Sequence, residues 1–192
     1  MIRSYEDYLK YLEADRISLG QKKKRPKIIG DLKNNIYKFQ RLLRRLEYLK
    51  NCKNGVLYKT VYYIYRYRYQ KLSDKLRFEI PLNVCGPGLC LVHGGTIIIN
   101  GNAKIGKNCR IQSMVNIGSN DRDKIEAPVI GDNVFIGPGV KIYGGVKIAN
   151  NIAIGANAVV NKSFLEESTT IAGVPAKIVS RKGTEDIISL RN

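Results

Sequence analysis

From residue 99 onward, aliphatic side chains recur every six positions: Ile99, Ile105, Ile111, Ile117, then Ile130, Ile136, Ile142, Ile148, Ile154 and Val160. Four places after most of these anchors stands a second small or modest apolar residue, as at Ala103, Cys109, Val115, Val134, Val140, Val146, Ile152 and Ala158. Asn or Gly fills the positions between, at Asn108, Asn133, Gly139, Gly145, Asn151 and Asn157. A six-residue period suits neither the 3.6-residue turn of a helix nor a meander of hairpins. It predicts a parallel β-helix in which each hexad supplies a short strand and a corner, and three hexads close one coil. The anchors then stack inward at the ordinary strand spacing, and corners with positive φ take Gly or Asn. The period slips once, between Ile117 and Ile130, over the polar segment SNDRDKIEAPV. This predicts a loop over 119–129 pushed out of a regular wall, the place where such a scaffold builds a site.

The first 80 residues have a different texture. Tyr5, Tyr8, Leu9 and Leu12 fall on one helical face and predict a helix over 3–14, with Ser4 and Asp7 as its cap. Lys22–Arg25 and Pro26 break the chain. Asp31 predicts the start of a second helix over about 32–50, with Leu32, Ile36, Phe39, Leu43 and Leu46 as its buried stripe, ended by 51–55. Residues 56–77 fit either a strand or a helix. Their length favours a helix, with Leu57, Val61, Ile64, Tyr65, Arg68 and Leu72 on one face.

Charge follows the same division. Residues 1–80 hold 21 of the 33 Lys and Arg but 8 of the 16 Asp and Glu, and 11 of the 12 tyrosines. The expected organisation is a basic, Tyr-rich helical region over 1–80, a β-helix over 81–180 and a tail over 181–192. The basic and aromatic run Tyr62–Tyr69 reads either as a surface for anionic lipid or nucleic acid, or as a helix whose tyrosines pack while its cations stay solvated. No nucleic-acid motif accompanies it, so nucleic acid is not expected as a partner. Peripheral contact with the inner membrane stays open.

No apolar run reaches the ~20 residues of a membrane span. The first residues lack an apolar export signal, which points to a cytoplasmic protein. Cys52, Cys85, Cys90 and Cys109 are unevenly spaced and form no CxxC pair, so reduced thiols are expected rather than a zinc site or a disulfide frame. With His93 the only histidine, no catalytic metal is expected.

The hexads, the protruding charged loop and the ending IAGVPAKIV (171–179) resemble the left-handed β-helix acyltransferases. The resemblance runs from about Pro81 to Arg181. It is nearest to the serine acetyltransferase-like branch, which includes enzymes that acetylate surface polysaccharides. It implies left-handed coils, a homotrimer (with a dimer of trimers through residues 1–80 as a further possibility) and acetyl-CoA in the groove between neighbouring β-helices. In GPGLCLVHGGT the catalytic histidine of that branch falls on His93. Gly137, Pro138 and Ala156 then line the coenzyme groove, with Lys177 towards its nucleotide end. Relatives often carry alanine where Pro138 stands.

An imidazole titrating near ~6.5 is a suitable base for drawing a proton from an acceptor hydroxyl. Asn116 and the Gly118 backbone are candidate oxyanion donors. A Cys–His nucleophile using Cys85 or Cys90 is the minor alternative. The loop residues Asp121, Arg122, Asp123 and Glu126 are candidate acceptor contacts, or else a solvated loop. Serine acetyltransferases carry an aspartate before the catalytic histidine and a second histidine before the re-entry proline. Here those places hold Val92 and Ala127. Neither can pair with a charged amino acid. The expectation is therefore a sugar hydroxyl of a surface polysaccharide as acceptor, with serine as the alternative. A non-catalytic scaffold that binds anionic surfaces is the alternative of another class.

Overall fold

The computed structural model describes residues 1–27, 31–120, 126–185 and 187. Three helices lead the chain: α1 (Tyr5–Ser18), α2 (Leu32–Cys52) and α3 (Val56–Leu76). Ser4 caps α1 by accepting from the Asp7 N–H, and Asp31 caps α2 by accepting from the Asn34 N–H. α1 begins two residues later than expected and runs four further. Glycine at 55 and a left-handed Arg77 (φ 60°) bound α3.

Three parallel sheets follow and wrap the chain into a left-handed β-helix. The first wall stacks Phe78–Glu79, Ile97–Ile99, Val115–Gly118, Lys141–Tyr143 and Val159–Val160. The second stacks Lys104–Ile105, Val129–Ile130 and Lys147–Ile148. The third stacks Cys90–Leu91, Arg110–Ile111, Phe135–Ile136, Ala153–Ile154 and Thr170–Gly173, and closes with the antiparallel strand Ala176–Ser180. Anchor lies on anchor, as in Ile99↔Ile117↔Ile142 and Leu91↔Ile111↔Ile136↔Ile154↔Ile171. All ten expected anchors and all eight secondary positions are buried. At roughly 1.5–3 kcal/mol per buried aliphatic side chain, this column is the main source of the fold's stability.

The corners use the residues their backbone demands. Asn108, Asn133 and Asn151 share φ of 55°, 57° and 59°. Asn108 donates its side-chain amide to Asn133, and Asn133 to Asn151, each at 3.0 Å, in a ladder that fixes the pitch of one edge. Asn157 and Gly139 also take positive φ. Gly145 does not, and its neighbour Gly144 (φ 79°) turns that corner instead. At the slipped hexad the Asn120 N–H donates to the Glu126 carbonyl, and the centre of the expected loop, 121–125, lies outside the described residues.

One apolar core runs from Ile36, Phe39, Leu43 and Leu46 of α2 through the coils to Ala176. Three expectations about the helices need correction. In α1, Tyr5 and Leu9 of the expected apolar face are exposed, and the buried face is Tyr8, Leu12 and Asp15. Leu32 is half exposed, not part of the stripe, because it lies at the first turn and leans on the Gly94 corner. In α3 the face turned inward is Tyr69, Ser73 and Leu76, whose hydroxyls donate to the carbonyls of Ile80 (Tyr69) and Phe78 (Ser73). Leu57, Ile64 and Arg68 of the expected stripe are exposed, and Val61, Tyr65 and Leu72 are half-buried. Part of the tail is also fastened: buried Thr184 donates through its hydroxyl to the Asn133 carbonyl at 2.8 Å. Among the described residues no helix is long and apolar enough to cross a membrane.

Candidate active site

His93 stands on the corner that follows the strand Cys90–Leu91. The backbone is tied on both sides of it: the Val92 N–H donates to the Ile111 carbonyl, and the Gly95 N–H to the Leu76 carbonyl. The imidazole is exposed. It opens onto a cleft of about 550 Å³ whose other walls include Gln21, Lys33, Val92 and Arg110.

The segment before His93 is held from below by buried polar groups of α1 and α2. Arg44 is fully buried and pairs with Asp15 at 2.9 Å and with Glu47 at 3.1 Å. Burial opposes its charge, but the two carboxylates more than compensate, and its pKa is held above the ordinary arginine value. The guanidinium also donates to the carbonyls of Cys85 (2.8 Å) and Gly86 (2.6 Å). Asp15 accepts from the N–H groups of Gly88 and Leu89, and Gln40 bonds both the Leu89 carbonyl and the Leu91 N–H. Peptide groups of Cys85, Gly86, Gly88, Leu89 and Leu91 are therefore paired to the helices, while the Val92 N–H pairs within the coil. Sequence reasoning missed this network. Its signal was Gln40, Arg44 and Glu47 sitting directly beside Phe39, Leu43 and Leu46 on one helical face.

Register places the expected coenzyme residues on the same corner. Continuing the third wall past Leu91↔Ile111↔Ile136↔Ile154↔Ile171 aligns His93, Ser113, Pro138, Ala156 and Gly173 in one file. The Gly139 N–H donates to the Ser113 carbonyl and the Asn157 N–H to the Pro138 carbonyl, as that alignment requires. Gly137 lies one place before Pro138, where a Cβ would come within 2.6 Å of the Ile154 carbonyl oxygen. Lys177 is exposed and pairs with Ala172 at the foot of the file.

The remaining expected residues lie elsewhere. Asn116 and Gly118 belong to the first wall, where Asn116 pairs Ile98 and Lys141 and Gly118 pairs Tyr143. Neither lines the His93 cleft. Glu126 opens onto a second cleft with Asn120, Tyr143, Gly145 and Lys162, which shares no lining residue with the first. Asp121, Arg122 and Asp123 lie outside the described residues. Among those described, no cluster of His, Cys, Asp and Glu is arranged to hold a metal ion.

Cys90 lines the His93 cleft, where its sulfur accepts from the Arg110 guanidinium at 3.6 Å, whereas Cys85 and Cys109 are poorly placed for covalent catalysis. Cys85, Cys90 and Cys109 are buried. Burial pushes the Cys85 thiol well above its usual range and that of Cys109 up to about 12. A thiol that is not ionised near neutral pH is a poor nucleophile. Half-buried Cys52 is thus expected to be the first cysteine alkylated by iodoacetamide in the native protein, with acetyl transfer unaffected. Mass mapping of the modified protein alongside an activity assay checks this, and acetyl-CoA-protected loss of activity would restore the Cys–His alternative.

Comparison with known proteins agrees with this architecture. Residues 127–162 match the bacterial transferase hexapeptide (six repeats) model. The serine acetyltransferase of Staphylococcus epidermidis is 36% identical over 99 residues, covering 51% of this chain and 46% of that protein. The solved serine acetyltransferase of Neisseria gonorrhoeae in complex with serine superposes with a TM-score of 0.60 at 25% identity, over 92% of this chain and 71% of that one. A serine acetyltransferase solved in complex with CoA gives a TM-score of 0.61 at 22% identity, over 91% and 68%. In fold and repeat the chain is similar to the hexapeptide-repeat transferases. The relatives with which it shares sequence and fold are serine acetyltransferases. It spans about half the length of the curated relatives it matches.

Proposed function

We propose that the chain is an O-acetyltransferase that moves an acetyl group from acetyl-CoA to a hydroxyl, with His93 as general base. One observation carries this reading: the register that sets His93 at the head of a file of small residues ending near Lys177. At roughly 5 Å per coil, the file offers a narrow groove for the coenzyme's extended arm. Lys177 supplies a cation at its foot for the phosphates. The acceptor hydroxyl gives its proton to His93 as its oxygen bonds to the thioester carbonyl carbon. The tetrahedral oxyanion then collapses, the C–S bond breaks, and His93 returns the proton to the departing sulfur. A homotrimer is what the family resemblance implies, with the coenzyme groove between neighbouring copies.

The acceptor with most support is L-serine, since the relatives are serine acetyltransferases and one is solved with serine bound. This favours what the sequence held only as the alternative. The polysaccharide-sugar reading finds no support among these relatives and rests on two residues alone. Half-buried Val92 and Ala127 offer no charge to an amino acid, and Glu126 faces the other cleft. Release of free CoA thiol from acetyl-CoA, with L-serine and then a panel of sugars, tests both. Serine-dependent release well above hydrolysis is the expected result. Turnover with a sugar but not with serine would transfer the assignment to the sugar. Absence of both turnover and acetyl-CoA binding would overturn the enzyme reading and leave the scaffold.

A further inference from the structure

A third cleft, of about 690 Å³, lies between α2, α3 and the segment Arg25–Lys27. Arg25, Lys27, Arg41, Arg45, Arg68 and Lys71 line it, and no carboxylate does among the described residues. None of these six takes part in an ion pair among the described residues. The contrast with Arg44, the neighbour of Arg45 on α2, is informative: there a buried cation is matched by two carboxylates. In the cleft Arg45 keeps its Nε buried with no hydrogen-bond partner, while its guanidinium lies over the rings of Tyr8 (5.8 Å) and Tyr65 (5.4 Å). Arg41 is steadied by donating to the Lys24 carbonyl at 2.9 Å. Cations gathered without counter-charge repel one another, and an anion that enters relieves the repulsion.

We propose that this cleft binds the phosphate groups of an anionic ligand. Guanidinium forks match phosphate oxygens two at a time, and several cations converging on one cavity suit more than one negative charge. A single carboxylate would leave most of them unmatched. The phosphate has two sources, a soluble diphosphate or the headgroups of an anionic bilayer. The bilayer source draws on α3, where Val56, Tyr63 and Tyr67 recur at helical spacing on the exposed face, and Arg68 and Lys71 flank them. Apolar side chains edged by cations are the pattern of a helix lying in a membrane interface. The cleft shares no lining residue with that of His93, so the proposal stands independently of acetyl transfer.

Calorimetric titration of the full chain with inorganic pyrophosphate tests the site. Flotation with phosphatidylglycerol vesicles, set against phosphatidylcholine vesicles, tests the source. The double variant Arg68→Gln/Lys71→Gln removes two exposed cations of the cleft. Lys104→Gln/Lys107→Gln removes the same charge from exposed positions on the second wall and the turn after it. Saturable binding is expected, weakened at least about tenfold in the first variant, as the loss of two charge-assisted contacts implies, and little changed in the second. Flotation with phosphatidylglycerol that pyrophosphate displaces would assign the headgroup. Pyrophosphate binding without flotation would assign a soluble ligand. Equal loss in both variants, or no binding of either probe to the unaltered chain, overturns the proposal. Circular dichroism of both variants confirms that the fold is retained.

Discussion

Replacing His93 by alanine is expected to lower turnover by about 10²–10⁴-fold, the contribution of a positioned general base, while acetyl-CoA still binds. The two halves of that expectation come from different parts of one corner. The proposed base is a single exposed side chain at the head of the file. The proposed coenzyme groove lies below it at Gly137, Pro138 and Ala156, whose backbones are fixed by the register of the third wall. Removing an exposed imidazole disturbs neither the anchors nor the corner hydrogen bonds. Substitutions of this kind usually change stability by no more than about 0.5 kcal/mol. Unfolding curves of the two proteins should therefore coincide while their rates diverge. Steady-state rates with the best acceptor, with equilibrium binding of acetyl-CoA as the second readout, make the check. Turnover within a few-fold of the unaltered protein would remove His93 from the chemistry.

The β-helix was legible because its constraint is repetitive and one-dimensional. Each anchor must be apolar and each corner must accept its backbone, so Ile, Asn and Gly reappear on a fixed count. The file from His93 to Ala156 follows from the same count once the strands are in register. The helices were legible as helices, through Ser4, Asp31 and their apolar spacing, but less so as packed surfaces. α3 carries tyrosine or aliphatic residues on every side, so no single stripe stands out. The face that turned inward was chosen by Tyr69 and Ser73, which found carbonyls of the chain just beyond the helix. The charged residues of α2 were harder still. Pattern reasoning sends an arginine to solvent, and only the approach of Asp15, twenty-nine residues away, makes burial of Arg44 tolerable. The placement of Asn116 and Gly118 away from His93 was invisible for a different reason. Closeness in sequence says little about closeness in space when each coil has three walls.

That buried arginine underlies the largest expected loss of stability. Arg44→Met should destabilise the chain by about 3–5 kcal/mol, because it leaves Asp15 and Glu47 buried without their cation. Replacing an isolated buried ion triad entirely by apolar residues is often neutral or favourable. Here it should not be. Asp15 also satisfies the N–H groups of Gly88 and Leu89, Glu47 satisfies that of Asn83, and Arg44 satisfies the carbonyls of Cys85 and Gly86. An apolar triple variant, Asp15→Leu/Arg44→Met/Glu47→Leu, would strand these backbone groups, each at a cost of about 1–3 kcal/mol if water does not reach it. Urea unfolding should therefore place the triple variant no higher than Arg44→Met. Recovery to the stability of the unaltered chain would mean that the network supplies charge balance alone. Persistent loss would mean that it is the clamp holding the segment that leads to His93. In that case the surviving folded fraction should also show a lower rate per folded molecule, since the peptide units before the base have lost their fixed partners.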